Sequence, residues 1–163
     1  MRVIYFLFLQ CSFIFSSAQS IFSSQLKAII GDSTNKFQKF KASFKELQLS
    51  DSVFHSNITL SGTKDNDIMV TKGMTLYRTI VIDSVTERKG KKIINEWQEK
   101  ILQTLGGRFT LEKTKIQSWN PTKYGWKFNC GNVSVNLDLY PHNPNFPFYW
   151  VCLGVTYFSK EIQ

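Results

Sequence analysis

Apolar and polar residues alternate from Tyr124 to Cys130 and again from Val133 to Leu139, with Gly131-Asn132 between the two runs. A two-residue loop containing a glycine free to take positive φ joins such runs as a β-hairpin and sets their register. Cys130 is then opposite Val133, Phe128 opposite Val135, Trp126 opposite Leu137 and Tyr124 opposite Leu139. Paired residues share a face, so these eight side chains make one apolar surface. Lys127, Asn129, Ser134, Asn136 and Asp138 point the other way. Beyond the proline-rich loop from Pro141 to Pro147, a third strand is expected from Phe148 to Phe158. If Tyr140 pairs with Phe148, then Tyr149, Val151, Leu153 and Val155 extend the apolar face. A sheet of this kind must bury its apolar face under something upstream and can wet the other.

Two upstream segments qualify as cover. From Phe22 to Leu47 the apolar residues Phe22, Leu26, Ile29, Ile30, Phe37, Phe40, Phe44 and Leu47 keep helical spacing, interrupted at Gly31-Asp32-Ser33. The pattern predicts one broken helix or two short ones in line. Ser84-Val85-Thr86-Glu87 fits a capping box and opens a second helix running to Leu105. Its buried stripe is Ile94, Trp97, Ile101 and Leu105, and Gly106-Gly107 ends it.

Between the helices lie three expected strands: Val53 to Leu60, then Ile68 to Thr71 and Thr75 to Asp83 around a Lys72-Gly73 turn. Gly62 to Asp67 reads as a polar loop. Arg108 to Trp119 is a further strand, and the change of apolar parity between Leu111 and Ile116 implies a bulge. The predicted fold is α+β: an antiparallel sheet of about seven strands, in the order α-β-β-β-α-β-β-β-β, with both helices on one face. A helix followed by a meander occurs twice, which hints at a pseudo-repeat without repeated sequence.

The chain begins differently. Arg2 precedes an apolar run from Val3 to Phe15, followed by Ser16, Ser17 and Ala18 at an A-x-A-like site. This pattern predicts a signal peptide over residues 1–18, a single α+β domain over 19–163, and a secreted or periplasmic location. The run is too short for the roughly 20 residues that span a bilayer, and no later segment approaches that length. The formal charge of +8 falls to +7 once Arg2 is removed. A basic exported protein leans toward an acidic protein or another anionic ligand, in preference to nucleic acid; solubility alone explains the charge equally well. Of the cysteines beyond the signal segment, Cys130 is placed on the apolar face and Cys152 on the opposite one, two strands away. Strand spacings put their Cα atoms about 14 Å apart. A disulfide needs less than about 7 Å, so two free thiols are expected.

Candidate chemistry is sparse. Arg88, Lys89, Lys91 and Lys92 gather at the start of the second helix, where the helix dipole disfavours positive charge. An anion held on the free N–H groups accounts for the cluster, as does a solvated turn. Gly90 within it leaves the first turn flexible. Trp150 and Cys152 stand on the otherwise polar sheet face near Gly154 and Ser134. They form either a shallow binding platform or a patch covered by a loop. His55 and His142 lack metal-ligand spacing, and Asp65-Asn66-Asp67 lacks the glycine and later acidic position of a calcium loop and reads as a turn. Cys130, pointing into the core, is a poor nucleophile. No carboxylate couple or glycine-rich phosphate loop stands out, so no catalytic, metal-ligating or cofactor-binding residue is assigned. Asn57-Ile58-Thr59 and Asn132-Val133-Ser134 match the glycosylation pattern.

Ser17-Ala18-Gln19-Ser20, followed by the amphipathic Asn35-Lys36-Phe37-Gln38-Lys39-Phe40-Lys41, resembles small exported proteins of unknown function from Bacteroidota. The resemblance spans the first third of the chain and implies export without naming an activity. The function expected is a non-enzymatic exported domain that binds a protein or anionic partner. The alternative is a small secreted hydrolase whose catalytic residues the sequence does not mark.

Overall fold

The computed structural model describes residues 19–49, 51–114, 122–142 and 147–159. The expected signal peptide, the bulge near Ile116 and the tip of the proline-rich loop lie outside them. A helix α1 over 19–31 leads through a short 3-10 turn (Ser33–Asn35) into four strands, β1 (Lys41–Gln48), β2 (Asp51–Ser56), β3 (Lys64–Thr71) and β4 (Met74–Val85). The second helix, α2 (Glu87–Leu105), precedes β5 (Thr110–Lys113), β6 (Tyr124–Cys130), β7 (Val133–Pro141) and β8 (Tyr149–Phe158). All eight strands form one antiparallel sheet in the order β1-β2-β3-β4-β8-β7-β6-β5. Each helix thus introduces a four-stranded meander, and the last strands of the two meanders, β4 and β8, meet at the centre.

The hairpin register is the expected one, from Tyr124 opposite Leu139 to Cys130 opposite Val133, with Gly131 at φ 56° in the turn. The third strand is shifted by two residues. Tyr140 pairs with Trp150 rather than Phe148, and the ladder continues to Pro141 opposite Tyr149. A shift of two preserves the face of every side chain. Val135, Leu137, Leu139, Val151, Leu153 and Val155 are therefore fully buried as expected.

Both helices cover that face. Phe22, Leu26 and Ile29 of α1 and Ile94 and Ile101 of α2 join the sheet residues in one core. The helices also touch each other: the Phe22 and Trp97 rings meet edge to face at 5.4 Å, and the Ser23 and Thr104 hydroxyls are 2.9 Å apart. Gly90 lets α2 pack closely on the sheet, since a Cβ there would lie 2.4 Å from Leu139 Cδ1. Its role is close packing rather than a flexible first turn.

The first helix is shorter than its apolar spacing predicts. It stops at residue 31, and Lys36 and Phe37 both take φ 55°, which a right-handed helix cannot contain. Asp32 holds this reversal, its carbonyl accepting from the Asn35 and Phe37 N–H groups and its Oδ2 from the Lys39 N–H. Phe37 and Phe40 enter the core, but Phe44 and Leu47 lie on edge strand β1, 56% and 68% exposed. Their spacing matched a helix that no core required. The Gly62–Asp67 loop is likewise partly strand: β3 starts at Lys64 and carries Asp67. The capping box does not form either. Ser84, still within β4, takes φ 53°, and α2 begins after Thr86, whose side chain makes no capping hydrogen bond.

Candidate functional site on the helix-free face

The polar side chains of the hairpin point away from the helices, and β3 and β4 continue that face on the other side of β8. Register brings Asp67 opposite Arg78, Arg78 opposite Gly154, and Gly154 opposite Asn136. A second row runs from Ile80 to Cys152 to Asp138. Over these rows lies a concavity of about 710 Å³, walled by Lys45, Asp67 and Arg78 at one end and by Asp138, Tyr140 and Trp150 at the other. Leu76, Ile80 and Cys152 line the floor between them. Gly154 keeps the middle open; a Cβ there would already stand 3.0 Å from Leu76 Cδ1.

The first end is a closed ionic triad. Arg78 Nη2 donates to Asp67 Oδ2 at 2.9 Å and Lys45 Nζ to Oδ1 at 2.9 Å. Burial alone would raise the Asp67 carboxyl, but the hydrogen bonds from Arg78 and Lys45 outweigh it and hold the group below the usual carboxylate range.

The second end contains a carboxylate without such partners. Asp138 is only 7% exposed. Its Oδ1 accepts from Thr114 Oγ1 at 3.0 Å, and Tyr140 OH reaches Oδ2 at 3.5 Å. Among the described residues no lysine, arginine or histidine pairs with it; Lys127 on β6 acts on it only from a distance. Burial pushes its carboxyl up to about 6. Burial likewise raises the Tyr140 phenol to about 12 and the Cys152 thiol to about 11. Trp150 stands beside this group, edge-on to the His142 ring at 4.8 Å.

Trp150 and Cys152, singled out from sequence, therefore belong to a concave site. Cys152 is buried on that face, whereas Cys130 is exposed at the hairpin end, against the expectation that it points into the core. Both cysteines are free. The basic cluster lies elsewhere. Arg88 and Lys89 are exposed on the first turn of α2, Lys91 pairs with Glu87 and Lys92 with Glu96, all on the same helix. The bond to Glu87 raises the Lys91 ammonium above its ordinary range.

Asp67, Arg78 and Asp138 were not marked by sequence as site residues. Each stands at a polar-face position of its strand and reads there as a solvated charge; the three come together only through the pairing of β4 with β8. Asp65-Asn66-Asp67 is strand β3 rather than a turn: Asp67 joins the triad, and Asn66 Oδ1 accepts from the buried Tyr77 hydroxyl at 2.7 Å. Among the described residues no group of three or more His, Cys, Asp or Glu side chains is placed to hold a metal ion, and no helix is long and apolar enough to cross a membrane. No family model, curated protein or solved structure matches the chain.

Proposed function

We propose that this protein is an exported, non-enzymatic binding domain whose ligand occupies the concavity on the helix-free face of the sheet. The observation that carries this reading is the cavity of about 710 Å³ with an apolar floor and a few fixed polar groups at its ends. Cavities of this size and lining take small organic molecules. Export rests on the apolar N-terminal run, the small residues before Gln19 and the resemblance to small exported proteins of Bacteroidota.

Geometry favours binding over hydrolysis. Asp67 and Asp138 stand on β3 and β7, three strand steps apart, which is about 14 Å. Paired hydrolytic carboxylates work at about 5–10 Å. Asp67 is moreover committed to Arg78 and Lys45. Trp150 pairs with Tyr140 between Cys152 and His142, so thiol and imidazole do not converge, and a thiol raised to about 11 stays protonated at neutral pH. The anionic partner suggested by overall charge finds less support: the cavity wall contains three carboxylates (Asp65, Asp67, Asp138) against two cations.

Ligand-observed NMR with a fragment library on the purified protein tests this proposal. Bound fragments are expected to lose binding in Asn136→Trp, which fills the cavity, and to be recovered unchanged after prolonged incubation. Fragments that still bind the variant, or that are consumed by the wild type, would contradict it.

A further inference from the structure

Resting on that reading, we infer that the ligand carries a protonated amine, and that Asp138 receives it. A buried carboxylate is costly unless a cation or several hydrogen bonds compensate for it. Asp67 on the same face has two cations within 2.9 Å; Asp138 has one hydroxyl at 3.0 Å and a second at 3.5 Å. Its position is nevertheless a built one. Gly125 lies directly opposite on β6, and a Cβ there would stand 2.3 Å from Asp138 Oδ1 and 2.9 Å from Thr114 Oγ1. The missing side chain leaves the notch in which the carboxylate and the hydroxyl meet.

The walls around Asp138 fit an organic cation rather than a hydrated metal ion. Trp150 and Tyr140 supply aromatic surface at this end, and Ile80 and Leu76 line the floor toward the triad. Aromatic faces attract ammonium groups, and an apolar floor takes the body that bears one. Among the described residues the charges facing Asp138 from neighbouring strands do not satisfy it: Lys127 on β6 makes no ion pair with it, and Arg78 on β4 is paired with Asp67. An amine would supply the missing charge-assisted hydrogen bond.

Calorimetry on the purified full chain with phenethylamine, 2-phenylethanol and phenylacetate separates head-group from body. Phenethylamine should bind about tenfold or more tightly than the alcohol, with phenylacetate weakest. Asp138→Asn should abolish the preference for phenethylamine over the alcohol. In the wild type, independently of that variant's folding, the Asp138 carboxyl carbon resonance should move on saturation with phenethylamine and stay in place with the alcohol. Equal affinity of the three probes, with binding lost in Asn136→Trp, would overturn the amine inference and keep the cavity as the site. Binding that survives Asn136→Trp, or no binding by any of the three, would overturn both.

Discussion

Gly125 and Asp138 are cross-strand partners, and the carboxylate of one fills the space a side chain on the other would take. A methyl group at 125 would also stand 2.6 Å from the Leu137 carbonyl oxygen, so the backbone itself would have to move. Gly125→Ala is expected to destabilise the fold by about 1–3 kcal/mol, the usual cost of overpacking a tight site. Urea denaturation of the variant against wild type measures it.

Asp138 should also make stability depend on pH. Its folded carboxyl is raised to about 6 from an ordinary value of 3.8, so the folded state holds the proton more tightly than the unfolded chain. The contribution is fully present below about pH 4 and is lost as pH rises through about 6, on the order of 3 kcal/mol in all. Subtracting the stability of Asp138→Asn from that of wild type, across pH 3.5 to 7.5, isolates this group. The difference should move against wild type as pH rises.

The triad has the opposite sense. Asp67→Asn removes the charge that both Arg78 and Lys45 face, leaving two cations side by side. Because those side chains are partly exposed, the expected loss is about 1–3 kcal/mol at neutral pH rather than the larger cost of a fully buried pair. Thermal denaturation of this variant beside Asp67→Glu checks the value.

The two thiols should differ in the native state. Cys130 is exposed and Cys152 is buried with its thiol raised to about 11. Iodoacetamide at pH 8 is expected to label Cys130 rapidly and Cys152 only after unfolding, with intact mass reporting one adduct and then two.

The hairpin could be read from the chain because turn chemistry and alternation agreed there, and α2 because Ile94, Trp97, Ile101 and Leu105 keep helical spacing. Gly131 specified the loop, and the apolar parity of β6 and β7 specified the face. The two-residue shift of β8 is not legible because period-two alternation is blind to it. Strand β1 reads as helix because Phe37, Phe40, Phe44 and Leu47 mimic a helical stripe; Gly31-Asp32-Ser33 marks a break, but the left-handed reversal itself falls on Lys36 and Phe37, which have no strong turn preference. The site was only half legible. Trp150 and Cys152 stood out as apolar residues on a polar face, but Asp67, Arg78 and Asp138 looked like ordinary solvated charges. Only the β4–β8 pairing places them around one cavity, and no local pattern encodes a contact between strands about 75 residues apart.

Backbone amide shift mapping with phenethylamine tests most directly that the helix-free face is the binding surface. The largest shifts should fall on Arg78, Asp138, Trp150, Cys152 and Gly154, with the indole N–H of Trp150 among them, while the helices stay still. Shifts confined to Arg88, Lys89, Lys91 and Lys92, or to the exposed edge of β1, with the cavity silent, would contradict it.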